Sequence, residues 1–121
     1  MTVDDVEYSV TNVAKSSGNE YETPKQGCEF VRVSVKIENK GNEKISYNLY
    51  DWKMENSQGY EESETFALMN NDTALNSGDL NPGGVKEGTM VFEQPAGDTG
   101  LKLNFYGNVF YDEASFKITI E

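Results

Sequence analysis

Carboxylates are the chemistry this sequence offers in quantity. It carries 21 Asp and Glu against 10 Lys and Arg, a formal net charge of −11 at neutral pH, and no histidine. Without histidine there is no imidazole general base, metal ligand or pH switch. Acidic loops can hold calcium, which takes six to eight oxygen ligands. Asp72 and Asp79, with the carbonyls of residues 70–78, are the candidate ligands, and Glu61, Glu62 and Glu64 form a second acidic group. No segment has EF-hand spacing, so a solvated acidic surface is the simpler reading and no metal or cofactor is expected. Paired carboxylates also hydrolyse glycosides. Here no pair is singled out, so no catalytic residue is assigned and the chain is expected not to be an enzyme.

The other reactive groups are few. Cys28 is the sole cysteine, which excludes an intrachain disulfide and a Cys₄ zinc site; it reads as a strand-edge residue. Gly83-Gly84-Val85-Lys86 lacks the spacing and the following helix of a phosphate loop. Asn71-Asp72-Thr73 fits the N-glycosylation acceptor pattern, a short motif that assigns no role by itself. The negative charge argues against nucleic acid, whose affinity comes from Lys and Arg neutralising phosphates. Aromatic residues are plentiful, with seven Tyr, six Phe and one Trp. Trp52 is expected to pack in a core. Tyr47, Tyr50, Tyr60, Tyr106 and Tyr111 can be read as a strip for sugars or peptides, or as ordinary strand residues, and the structural reading is preferred. Tyr60 and Phe66 are the candidate anchors for a partner.

These groups must be positioned by strands, because the apolar residues alternate at period two. Val6, Tyr8 and Val10 begin a strand that runs to about Val13. Val31, Val33, Val35 and Ile37 alternate with Arg32, Ser34, Lys36 and Glu38, which predicts a sheet with one buried and one solvated face. From Ile45 to Glu55 the phase changes: Ile45, Tyr47 and Leu49 share one parity, Trp52 and Met54 the other. That predicts a bulge or bend near Tyr50-Asp51, or a strand crossing between two sheets. Tyr60 opens a short return strand. Residues 61–86 are irregular: short strands or a helical turn are expected at 65–69 and 73–75, and turns at 70–72 and 76–79. Lys86–Glu93 and runs beginning at Leu101 and Phe116 complete seven to eight strands in one domain over residues 1–121.

Several segments fall in a familiar order. They are Gly27-Cys28-Glu29-Phe30-Val31-Arg32-Val33-Ser34-Val35-Lys36-Ile37-Glu38-Asn39-Lys40-Gly41, then Asp51-Trp52-Lys53-Met54-Glu55-Asn56-Ser57-Gln58-Gly59-Tyr60. Leu80-Asn81-Pro82-Gly83-Gly84 and Gly88-Thr89-Met90-Val91-Phe92-Glu93-Gln94-Pro95 follow. This order resembles the bacterial lipoprotein domain family catalogued as domain of unknown function 4352, over about residues 3–121. That family has Phe where Trp52 stands, and Cys28 is outside its pattern. The resemblance implies an immunoglobulin-like sandwich, similar in fold to the immunoprotective extracellular antigens, and no catalytic residues. It also implies a secreted location or a tether to the outer face of the membrane through a lipidated N-terminal cysteine absent here. Met1-Thr2-Val3-Asp4-Asp5 holds no leader, and a native signal or anchor is expected to have preceded it.

The expectation is therefore an all-β, immunoglobulin-like antiparallel β-sandwich. Its expected role is non-enzymatic and extracytoplasmic, contacting a protein or a cell-envelope component. The alternative is a small-ligand or calcium-binding module using the acidic and aromatic loops.

Overall fold

The run Val31, Val33, Val35, Ile37 becomes the spine of one sheet, with all four side chains buried. In the computed structural model, residues 2–3, 5–18, 23–65, 74–106 and 116–120 are described. Among them are ten strands: β1 (Thr2–Val3), β2 (Val6–Ser16), β3 (Cys28–Asn39), β4 (Ile45–Asn48), β5 (Trp52–Glu55), β6 (Glu61–Ser63), β7 (Ser77–Leu80), β8 (Val85–Pro95), β9 (Lys102–Phe105) and β10 (Phe116–Thr119). The excess over seven to eight comes from short edge pieces and from the division of the 45–55 run. One sheet has the order β1-β2-β3-β8 and the facing one β10-β9-β5-β6, with β4 and β7 as a separate pair. All strand pairs are antiparallel. Strands β2, β3 and β8 thus take the places of A, B and E in an immunoglobulin-like sandwich, and β5, β9 and β10 those of C, F and G.

The phase change in the 45–55 run has a physical cause. A 3₁₀ turn, Leu49–Asp51, separates β4 from β5 and carries the chain from one sheet to another. The Asn48 side chain caps it, accepting from the Tyr50 N–H at 2.8 Å. Leu49 and Trp52 can then both face the core although their parities differ. Trp52 is 2% exposed and sits among Tyr8, Phe105 and Phe116, with ring centroids 5.8, 4.7 and 6.0 Å away. Such aromatic contacts add about 0.5–1.5 kcal/mol each beyond the area they bury.

Two sequence expectations need correction. Residues 76–79 are not simply a turn: Ser77–Leu80 is strand β7, paired with β4. Gly78 looks like turn chemistry, but a Cβ there would lie 2.6 Å from the Tyr47 hydroxyl, so glycine makes room for that ring. The outer face of the β3–β8 sheet is also not wholly solvated, because Phe30 and Val91 are buried on it. The chain leaving β6 shields the β8 edge there, with the Thr65 N–H donating to the Val91 carbonyl at 2.8 Å. Farther along β8, the Leu75 N–H donates to the Thr89 carbonyl at 3.0 Å and Ala74 forms a parallel bridge to Thr89. The helical turn expected at 65–69 lies, apart from Thr65, outside the described residues.

The segments quoted for the family resemblance meet in space. Buried Asn39 donates through Nδ2 to the Glu43 and Leu80 carbonyls at 2.8 and 3.0 Å, and its Oδ1 accepts from the Gly41 N–H at 3.1 Å. Its backbone exchanges bonds with the other turn: the Asn39 N–H donates to the Gly84 carbonyl and the Gly83 N–H to the Asn39 carbonyl. Asn-x-Gly and Leu-x-Pro-Gly are therefore two halves of one hydrogen-bonded corner. Asn56 plays a similar part at the next turn, accepting from the Gln58 and Tyr60 N–H groups at 3.0 and 3.1 Å.

Candidate functional site

Strands β6 and β8 are both sheet edges, one in each layer. The short segment after β6 crosses from one to the other through the Thr65–Val91 bond. An open cleft of about 610 Å³ lies along this crossing. Glu61, Glu62 and Ser63 line it from β6, Glu64 and Thr65 from the crossing, Glu93 from β8, and Lys25 from the loop before β3. Four carboxylates thus face one ammonium, which makes the cleft a concentrated patch of negative charge.

The four glutamates are not equivalent. Glu93 is paired with Lys25, whose Nζ stands 3.6 Å from its Oε1 and whose backbone N–H donates to the same oxygen at 3.4 Å. Glu61 accepts from Asn104 Nδ2 at 3.1 Å and from the Tyr106 hydroxyl. Glu62 is exposed. Glu64 is 8% exposed, and neither of its carboxylate oxygens has a hydrogen-bond partner. It is the buried member of the lining, and both of its oxygens are sealed from water. Burial pushes its carboxyl up to about 7, and the Val91 backbone, which favours the charged form, opposes the rise.

Beside the cleft, Asn104 bridges two carboxylates, donating to Glu55 at 3.0 Å and to Glu61. Lys117 donates to Glu55 at 2.9 Å, and Lys53 lies 5.5 Å from the centre of the Tyr106 ring. Burial and the Glu61 carboxylate push the Tyr106 hydroxyl up to about 12, so it stays a donor at every physiological pH. This network is nearly self-satisfied, with only Asn104 Oδ1 buried and unbonded. On the 3₁₀ turn, burial pushes Asp51 up to about 6. Asp51 does not line the cleft.

The sequence candidates are dispersed. Of the calcium candidates, Glu61, Glu62 and Glu64 line the cleft, whereas Asp79 lies on β7 and accepts from Ser46 Oγ at 2.8 Å. Asp72, Phe66, Tyr111 and the Asn71-Asp72-Thr73 pattern lie outside the described residues. Among the described residues no three acidic or cysteine side chains come together to hold a metal ion. Tyr60 and Tyr50 are 67% and 59% exposed, Tyr47 packs against the core and Tyr106 is buried, so these four form no continuous strip. Cys28 opens β3 opposite Pro95 and is half-buried. Sequence reasoning missed Glu93 and Lys25, which come from distant segments, and the special place of Glu64. Only the polarity of three nearby glutamates hinted at the last.

Comparison with known proteins adds a family and a fold. The family model described as "Domain of unknown function (DUF4352)" matches residues 1–118. No curated protein matches the sequence. Among solved structures, the chain is similar to ycdA of Bacillus subtilis, a candidate lipoprotein, with a TM-score of 0.82 and 17% identity. That match covers 100% of this chain and 38% of ycdA, so the chain spans well under half of that relative. The yjhA protein of Bacillus subtilis gives a TM-score of 0.74 at 21% identity, over 87% of this chain and 77% of yjhA. An uncharacterised β-sandwich protein of Clostridium difficile gives 0.56 at 13% identity, over 100% and 89%. At these identities the structural likenesses establish the sandwich fold and nothing finer.

Proposed function

The chain belongs to the DUF4352 family, and on that premise we propose that it is a non-catalytic contact domain of a lipoprotein, displayed outside the cytoplasmic membrane. Its native tether would be a lipidated N-terminus, and its contact surface the open edge between β6 and β8. The similarity to ycdA supports the location, as that protein is itself a candidate lipoprotein. The observation that carries the contact reading is the acidic cleft along the crossing from β6 to β8, lined by Glu61, Glu62, Glu64 and Glu93. Among the described residues, the two carboxyls raised by burial, Glu64 and Asp51, belong to different places in the fold. That separation favours binding over acid–base catalysis, which needs such groups within reach of one substrate.

The test uses the full-length native protein in its bacterial host, with Tyr60→Cys in a Cys28→Ser background. A membrane-impermeant maleimide should label the new thiol on intact cells, and a thiol-anchored cross-linker should join it to an envelope protein. Labelling only after lysis would overturn the location. Labelling without any cross-linked partner would overturn the contact role of this edge.

A further inference from the structure

Among the described residues, Glu64, Gln94 and Asn104 keep buried polar atoms without a hydrogen-bond partner in the side-chain network. Gln94 and Asn104 are amides, whose charge no change of pH alters. Glu64 can pass from neutral to charged, and it sits where the chain fastens one sheet to the other. The next residue, Thr65, donates its N–H to the Val91 carbonyl at 2.8 Å. Strand β6, just before it, is an edge of one layer, and β8, which receives the bond, is an edge of the facing layer. A sealed carboxyl is tolerated while it keeps its proton. A sealed carboxylate is costly, and the cost is relieved by turning it out to water.

We propose that the Glu64 side chain is a proton-operated latch on this crossing: protonated, it stays buried and holds Thr65 against β8; ionised, it swings out, breaks the Thr65–Val91 bond and bares that stretch of the β8 edge. The latch is a property of the fold and does not rest on the contact role proposed above. Opened, it uncovers backbone groups of a strand edge, the part of a sheet on which another strand can pair. Farther along the same edge the attachment is of another kind. Leu75 is fully buried and donates its N–H to the Thr89 carbonyl at 3.0 Å. A Cβ on Gly88 would lie 2.6 Å from the Leu75 Cα, so the two backbones are in close contact. Nothing in that apolar attachment titrates, and it should stay closed when the latch opens.

The groups around Glu64 set the sign of the effect. Burial raises its carboxyl to about 7, and the Val91 backbone opposes the rise. Glu61 and Glu62 from β6 and Glu93 from β8 line the same cleft, and their charges oppose a further ionisation. Lys25, from the loop before β3, favours it, but its Nζ is paired with Glu93 at 3.6 Å. Arg32 stands opposite Val91 on β3 and also favours it. Lys53, opposite Ser63 on β5, lies 5.5 Å from the centre of the Tyr106 ring. The open latch binds fewer protons than the closed one, so opening is favoured as pH rises.

The experiment is amide hydrogen exchange of the full chain, followed by NMR at pH 6 and pH 8, with each rate corrected for the intrinsic pH dependence of exchange. The protection of the Thr65 N–H should fall about tenfold over that span. Linkage gives this factor for one proton held at about 7 in the closed state and 4.5 in the open one. Val33, on the central strand β3, reports global unfolding, and Thr65 should be less protected than Val33 at both pH values. Leu75 should change no more than Val33 does. Glu64→Gln, which cannot ionise, should remove the tenfold fall at Thr65. The inference is overturned by a Thr65 protection that is the same at both pH values, or that equals Val33 throughout. A Glu64→Gln protein that loses Thr65 protection as the parent does would overturn it equally. If that variant fails to fold, the comparison of Thr65 with Val33 and Leu75 in the parent chain decides alone.

Discussion

At the scale of single residues, Glu64 works against the fold that contains it. Its carboxyl rises from 4.5 in an unfolded chain to about 7 in the folded one. The folded state therefore holds a proton that the unfolded state has released, and stability falls as pH climbs from about 4.5 through 7. Asp51, raised from 3.8 to about 6, acts in the same direction slightly lower on the scale. Glu64→Gln should consequently melt higher than the parent at pH 8 and close to it at pH 4.5, as scanning calorimetry across that range would establish. The expected gain is about 1–2 kcal/mol, less than the full shift implies because relaxation of the surroundings lowers the cost of a buried charge. A parent chain whose melting temperature is flat from pH 5 to pH 7 would contradict the burial of this carboxyl. None of this was legible in the sequence. Glu61, Glu62 and Glu64 are three glutamates of one kind on the page, and only the crossing to the β8 edge buries the third.

At the scale of elements, the corners matter more than the strands that enter them. Asn39 ends β3 and ties it to the turn before β8. Asn39→Ala would leave the Leu80 and Glu43 carbonyls and the Gly41 N–H without their side-chain partner. A loss of about 2 kcal/mol is expected, read as a lowered urea midpoint with an unchanged slope. Asn39→Asp keeps the acceptor for Gly41 but loses both donated bonds, and should recover only part of that loss. Much of this level was visible beforehand. The alternation from Val31 to Ile37, the phase change at Trp52 and the paired turn motifs each announced a real feature, because each is a local pattern. The strand at Ser77–Leu80 was not visible, since its glycine answers to Tyr47 across a tertiary contact. Lys25 and Glu93 were invisible as partners for a similar reason: 68 residues separate them in sequence.

At the scale of the whole molecule, charge is the governing quantity. With −11 on 121 residues, the surface repels itself, and added salt screens that repulsion. The melting temperature should rise by roughly 3–5 °C between about 20 mM and 0.5 M sodium chloride, which corresponds to about 1 kcal/mol. Exposed ion pairs such as Lys40–Glu7 oppose the trend, since salt weakens attraction too. A fall in melting temperature with salt would mean that attractive pairs outweigh the net repulsion. The aromatic centre between the sheets has a consequence of another kind. Trp52 is the only indole in the chain and lies against Tyr8 and Phe105, sealed from water. Its fluorescence should peak at short wavelength, and that light reports on the seam between the layers rather than on the acidic edge. A ligand that merely fills the cleft would leave the emission untouched, so any spectral shift on binding would be a direct optical record of the two sheets moving against each other.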